Sequence, residues 1–290
     1  MNIQAAAKIN LTLSVTGRND TGYHELISAV CFTSFCDRLS ITPTNDETAT
    51  HLSGPFAAAL EKAGGDHLIA NAYELAQGIR PDIARYKVQI DKQIPLGGGL
   101  GGGSADAAAF LRAISNNWSE ADKEILKSRL TTLGADVPAC FDNQMHVMAQ
   151  NLQNVTSFSA PDKRPIMVIT NPLIHADTAR VFRTYAECTK TYSDITSEKV
   201  SQFLHEGTWQ DLLAIGNDLT SAACQLYPQI SDLLSAMGQS HMMGKQELLG
   251  TAMSGSGASC FALLSDEEAA DYYVSMLENK GIWCQKTHIF

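Results

Sequence analysis

The stretch that most constrains this chain is Pro95-Leu96-Gly97-Gly98-Gly99-Leu100-Gly101-Gly102-Gly103-Ser104-Ala105-Asp106-Ala107-Ala108-Ala109. Six of the seven residues at 97–103 are glycine, which strips side chains from a turn so that backbone N–H groups can crowd round an oxyanion. The alanine-rich run that follows reads as a helix over 104–114. A helix starting there aims its unpaired N–H groups and positive dipole end into the loop. Phosphate is the guest this predicts, held by residues 95–105.

Two named loops are weaker fits. A Walker A loop closes on Gly-Lys-Ser/Thr, and here Gly103 runs straight into Ser104 with no lysine between them. Gly97, Gly99 and Gly102 satisfy G-x-G-x-x-G, a poor discriminator in so glycine-dense a run, and nothing else repeats a Rossmann unit. A flexible glycine linker is the bland alternative, but such linkers are seldom welded to an apolar helix.

At 290 residues and 44% hydrophobic content, the chain can bury a large core as one big domain or two ordinary ones. No apolar run reaches spanning length and the start lacks a signal-peptide pattern, so the expected compartment is the cytoplasm, with no membrane partner. Seven scattered cysteines, an odd number without C-x-x-C spacing, read as reduced, mostly buried thiols. A net charge of −10 without a basic stripe argues against nucleic acid as a partner. An anionic substrate must then be held by local donors: loop amides, a few placed lysines and a metal ion.

Apolar residues at the odd positions of 3–15 predict a strand with one dry face, placing Lys8 and Asn10 together on its polar face. Residues 17–22 form a turn that delivers Tyr23 and His24, an aromatic and an imidazole suited to stacking on a heterocyclic base. Strands are predicted over 26–35 and 38–42, then a polar loop with a short alanine-rich piece over 44–65. Asp66 is the expected N-cap of a helix through Ile79, and 86–91 is a strand leading into the glycine loop. Ser104, at the helix start, is placed to cap, to ligate a metal, or both. Ser119 opens a helix that Gly134 closes. Asp136 then sits in a rigid bend before Val137-Pro138, a position where turn aspartates often bond only locally.

Residues 143–165 are polar with two prolines and form the expected seam, dividing the chain into domains 1–158 and 159–290. Beyond it the pattern predicts a strand over 164–170, helices over 178–187, 197–205, 209–226 and 229–237, and a β-β-α-β ending with a second glycine turn at Ser254-Gly255-Ser256-Gly257-Ala258.

Three blocks, Ala6-Ala7-Lys8-Ile9-Asn10-Leu11, the 95–109 loop and Met253-Ser254-Gly255-Ser256-Gly257-Ala258, taken in this order resemble the three motifs of the GHMP small-molecule kinases. The stretches 17–26 and 133–138 and the form of the glycine loop narrow the resemblance to the branch that acts on a cytidylylated methylerythritol. It implies a two-domain α+β fold, with an N-terminal half like ribosomal protein S5 domain 2 and a ferredoxin-like C-terminal half. It also implies ATP on the glycine loop, Mg²⁺, and transfer of the γ-phosphoryl group to the 2-hydroxyl of that small molecule in the non-mevalonate isoprenoid pathway.

By the same resemblance Asp136 is the base and Lys8 the catalytic lysine, while Asn10, Tyr23 and His24 fall on the substrate side. Phe182 aligns with an aromatic that sandwiches cytosine opposite Tyr23, and Gly255, Ser256 and Gly257 line the site near phosphates or substrate. Two departures stand out: residues 148–155 lack a Gly-x-Gly-Glu stretch usual in the family, and His67 replaces a common asparagine. Other alcohols, such as mevalonate or homoserine, and a non-catalytic nucleotide-binding role stay open at this point, as does the choice between monomer and homodimer.

Overall fold

The computed structural model describes residues 1–20, 22–65, 67–149, 154–157 (backbone), 164–189, 191–239 and 248–290. In chain order the strands and helices of the first half are β1 (Asn2–Asn10), β2 (Ser14–Arg18), β3 (His24–Thr44), β4 (Ala49–Ser53), α1 (Ala57–Lys62), α2 (His67–Ile79), β5 (Arg85–Asp91), α3 (Gly102–Ser115), α4 (Glu120–Arg129), α5 (Val137–Asp142), β6 (His146–Ala149) and β7 (Asn154–Ser157). There follow β8 (Ile166–Asn171), α6 (Thr178–Cys188), α7 (Ser197–Glu206), α8 (Trp209–Ala214), α9 (Thr220–Leu226), α10 (Pro228–Gly238), β9 (Leu248–Met253), β10 (Cys260–Leu264), α11 (Glu267–Asn279) and β11 (Trp283–His288).

These elements gather into two compact units that interleave along the chain. The first holds Met1–Lys8, Phe35–Leu96 and Gly101–Asn143; the second holds Ile9–Ser34, Gly97–Leu100 and Gln144–Phe290. In the first, β5 pairs antiparallel with β3 (Arg38 opposite Asp91) and parallel with β4 (Ala49 opposite Lys87). The alternating burial of β5, with Tyr86, Val88 and Ile90 inside, is the signature of a sheet covered on one face. The small alanines of α3 suit close packing, and Ala105 to Leu111 are buried all round.

In the second unit, the antiparallel order β11-β8-β10-β9, with α6 to α10 between its first and second strands and α11 between its third and fourth, is the ferredoxin-like pattern. Val168, Val181, Leu219, Ile230, Cys260 and Leu277 belong to the core behind it.

The structure departs from the sequence pattern where distant partners replace local cues. The strand expected over 3–15 stops at Asn10 and resumes as β2 at Ser14, because Leu13 turns its N–H to the Gly216 carbonyl. Beyond the exposed Gln4 the predicted wet face is absent: Lys8, Asn10, Thr12 and Ser14 are buried, and the first three bond to partners far along the chain or on a neighbouring strand. The two strands expected over 26–42 are one continuous β3. The loop expected over 44–65 contains β4 as well as its alanine-rich helix α1, and the polar seam contains β6, paired to β3. The helix expected over 209–226 is two, α8 and α9, separated by a turn through Gly216 at φ 79°.

At the glycine loop the helix begins earlier than expected. Gly101, in the left-handed conformation at φ 65°, is the N-cap of α3, so Ser104 lies within the first turn and does not cap it. Gly134 has φ 159° and follows a 3₁₀ turn over Leu130–Thr132, away from the usual left-handed helix stop. Val137-Pro138 is helical instead of extended, because proline is tolerated in a first turn, and Asp136 is the N-cap of α5. Asp66, proposed as a cap, and the proline at 161 lie outside the described residues.

Candidate active site

In the first unit, Lys8 near the end of β1 and Asp136 at the head of α5 come together although 128 residues separate them: Lys8 Nζ donates to Asp136 Oδ1 at 2.9 Å. The lysine side chain is 4% exposed and the carboxylate 35%. Asp136 makes no side-chain cap on its own helix, which leaves its carboxylate to Lys8 and to whatever approaches the open side. A Cβ added at Gly101 would lie 3.4 Å from Lys8 Cβ and 3.8 Å from Asp136 Oδ2. The head of α3 therefore abuts the ion pair, within ordinary contact distance of both partners. Ser104 Oγ faces Gly134, 3.9 Å from where a Cβ would stand, two residues before Asp136.

A charge-assisted N–H···O bond of this kind is stronger than a neutral one. It holds the carboxylate in one orientation and keeps a cation beside it. With no side-chain cap at Gly101, the N–H groups of the first turn of α3 are the helix's natural anion donors.

In the second unit, residues 97–100 of the loop are bound through their carbonyls. Ser259 N donates to Gly98 O at 2.9 Å and Ser254 Oγ donates to Gly99 O at 2.9 Å. Turning the carbonyls outward in this way is how a loop exposes its amides. Ser254 Oγ also accepts from Asn10 N at 3.0 Å, and the Asn10 amide donates to Ser28 Oγ at 2.8 Å. Asn10 Oδ1 lies 3.2 Å from where Gly255 would carry a Cβ. Asn10, Gly99 and Gly255 thus meet around one serine hydroxyl. Glycine is required at 99, at φ 71°, because an added Cβ would fall 2.3 Å from Ser254 O. Ser256 Oγ shares a hydrogen bond with Thr178 Oγ1 at 2.7 Å, while Gly257 faces Met253 and Ile230, which is a packing contact.

On the expected substrate side, His24 stacks on Phe182 with ring centroids 5.1 Å apart and planes 26° from parallel. Arg18 Nε donates to His24 Nε2 at 3.3 Å. Partial burial and then the Arg18 charge push the His24 pKa below its ordinary value, so its ring face is offered in the neutral form near pH 7. Tyr23 is 75% exposed, outside the core.

Sequence reasoning did not single out several residues that the structure places against the loop. His175 lies over Gly97, whose Cβ would fall 2.2 Å from Nδ1. Ser254 was part of a recognised motif without a role of its own. Lys92, Asp37 and Asp106 form a buried ion cluster. Only Asp106 carried a signal, as a charge inside an apolar alanine run. A separate cleft in the first unit, lined by Asn2, Gln4, Arg38, Gln89 and Asp91, contains none of the candidate residues. Among the described residues no group of three or more His, Cys, Asp or Glu could hold a metal ion, and no helix is long and apolar enough to cross a membrane.

Residues 66–147 match the family described as GHMP kinases N terminal domain and residues 201–281 match GHMP kinases C terminal. The chain is 36% identical over 288 residues to 4-diphosphocytidyl-2-C-methyl-D-erythritol kinase of Rhizobium etli, covering 96% of this chain and 90% of that protein. It is 34% identical over 284 residues to the enzyme of the same name from Rhodospirillum rubrum, covering 96% and 89%. A crystal structure of 4-(cytidine 5'-diphospho)-2C-methyl-D-erythritol kinase superposes with a TM-score of 0.76 at 28% identity, over 99% of both chains. Mevalonate kinase of Methanococcus jannaschii shares the fold, with a TM-score of 0.67 at 14% identity over 100% of this chain and 98% of that one. With both family halves matched and relatives above 30% identity along nearly its whole length, this chain belongs to the GHMP kinases, ATP-dependent small-molecule phosphotransferases, and within them to the 4-diphosphocytidyl-2-C-methyl-D-erythritol kinases.

Proposed function

We propose that the chain transfers the γ-phosphoryl group of ATP to the 2-hydroxyl of 4-diphosphocytidyl-2-C-methyl-D-erythritol, a step of the non-mevalonate isoprenoid pathway. The observation that carries this reading is the 2.9 Å Lys8–Asp136 pair set against Gly101 at the head of the phosphate-type helix. Phosphoryl transfer asks a protein chiefly to position reactants and offset charge, and these residues supply both. Asp136 accepts the hydroxyl proton as the new O–P bond forms and the bond to the departing diphosphate breaks. Lys8 holds that carboxylate in place and offsets charge on the moving phosphoryl group. The amides of 97–104 cradle the phosphates, while Asn10, Tyr23, His24, Phe182 and the 255–257 turn serve the cytidylyl substrate, with cytosine stacking as the task of the exposed Tyr23 and the Phe182 ring.

Magnesium, when bound, would supply positive charge to offset that of the phosphates. Ser104, the one hydroxyl in the first turn of α3, is the residue that would hold it, an oxygen donor of the kind this ion takes. The reading keeps the enzyme in the cytoplasm as a monomer or homodimer, with neither nucleic acid nor membrane as partner; the net charge of −10 supports the exclusion of nucleic acid. The test is a coupled ADP-release assay across candidate alcohols. Turnover on the cytidylyl substrate, with none on mevalonate or homoserine, is the expected result; the reverse preference overturns the assignment.

A further inference from the structure

In the first unit a second lysine is enclosed far more completely than Lys8. Lys92 is 1% exposed, and its Nζ donates to Asp37 Oδ2 at 2.5 Å and to Asp106 Oδ2 at 2.6 Å, both carboxylates being fully buried. Burial alone would draw the lysine pKa down, but the Asp106 and Asp37 charges outweigh it and hold it above the ordinary value, so the ammonium form persists. Asp37 does more than pair: its Oδ1 accepts from the backbone N–H groups of Gln93 and Ile94 at 2.6 and 2.8 Å.

The three residues come from three places that matter to the loop. Lys92, with Gln93 and Ile94, is the segment leading into it; Asp106 is in the second turn of α3, just past it; Asp37 is on β3, a rigid strand. A Cβ at Gly102 would meet Lys92 Nζ at 3.2 Å, so the ammonium also packs against the helix start. Replacing buried ion groups with apolar ones of similar size is often neutral or stabilising, so three enclosed charges are a poor way to gain stability alone. Directional bonds between them are a good way to hold geometry. Six glycines in seven residues have wide backbone freedom; Ser254 and Ser259 hold carbonyls in the middle of the loop, and its two ends need anchors of their own.

We infer that Lys92, Asp37 and Asp106 are positioning residues for phosphoryl transfer, fixing the two ends of the glycine loop so that its amides converge on the nucleotide phosphates. This rests on the reading that the loop holds ATP. None of the three needs to touch the substrate; they act through the backbone they anchor.

The test uses Asp106→Asn and Asp37→Asn, which keep side-chain shape and remove one charge each; the Asp37→Asn side chain still offers a carbonyl oxygen to the two backbone amides. Binding of a non-hydrolysable ATP analogue is measured by calorimetry, alongside KM for ATP, KM for the alcohol and kcat, at a temperature where circular dichroism shows each variant folded. The expected result is a rise of about tenfold in analogue Kd and in KM for ATP, the scale of one charged hydrogen bond, with KM for the alcohol within about twofold. A merely fold-holding cluster would lower the active fraction and leave both constants unchanged, and that result overturns the inference. So does failure of both variants to fold at any usable temperature, because the cluster would then serve the core as a whole. Wild-type protein that binds no analogue defeats the underlying ATP reading instead.

Discussion

Lys8 and Lys92 are both buried ammonium groups in the same compact unit, each bonded to aspartate, and yet their surroundings differ in one decisive respect. Lys92 has two carboxylates, both fully enclosed. Lys8 has Asp136, whose side chain is 35% exposed and lies beside Gly101. A carboxylate reached by solvent on one side and held by a cation on the other can take up and release a proton during a reaction. Carboxylates sealed around an ammonium are held to one geometry. On the proposed reading, the contrast separates a pair that reacts from a cluster that holds the scaffold near it.

The largest effect that tests this contrast is on turnover. Asp136→Ala and Lys8→Ala are each expected to lower kcat by about 10³-fold or more, the scale of a lost general base or charge stabiliser, with ATP-analogue affinity changed less than about threefold. Coupled-assay kinetics and calorimetry read the two quantities; unchanged turnover in both variants would end the assigned roles. Stability should show the opposite ranking. Lys92→Met, which leaves two buried carboxylates without their cation, is expected to cost about 3–5 kcal/mol in urea unfolding. Lys8→Met, which leaves a carboxylate that water can reach, should cost about 1 kcal/mol, within the range for partly exposed pairs. Equal losses would erase the distinction.

Smaller is the effect of Gly101→Ala. At φ 65° an alanine carries the left-handed penalty of about 1–2 kcal/mol, although its Cβ would meet Lys8 only at ordinary contact distance. Relief of that backbone strain shifts the helix head that touches Lys8 and Asp136, so turnover should fall as well; a variant with lower melting temperature and wild-type kcat would place the pair away from the chemistry. The smallest effect lies at alkaline pH. The Lys92 pKa is raised in the fold, so its contribution is complete below the unfolded lysine pKa, about 10.4, and is lost as pH rises through the folded value. Wild type should therefore keep this contribution up to about pH 10.4 and lose stability in urea unfolding above it; stability unchanged on raising the pH through that range would show that the ammonium contributes nothing.

Much of the architecture is legible along the chain, and the failures have physical causes. Amphipathic periodicity locates α2, α6, α7, α10 and α11 within a residue or two, since each buries one stripe. Periodicity misleads over 3–15, where alternation implies a solvated face; Lys8 finds Asp136, Asn10 finds Ser28, and from residue 5 onward both faces are dry. Strand β4 is missed because its residues Ala49–Ser53 alternate weakly and gain their ladder from β5. The glycine loop and the third motif are visible from composition alone, whereas the Ser254 hydroxyl that bonds Asn10 N and Gly99 O is not.

By itself the sequence determined the glycine loop, the helix behind it and a β-β-α-β ending, because turn chemistry and apolar spacing are local properties, while Lys8 and Asp136 became candidates through the resemblance to the GHMP kinases. Only the tertiary structure decided which lysine faces an open carboxylate and which is sealed between two, since Lys8 reaches 128 residues to Asp136 and Lys92 reaches 55 back to Asp37. Pairing of buried charges depends on which chain segments packing brings into hydrogen-bond range, and no periodicity along the chain encodes that distance.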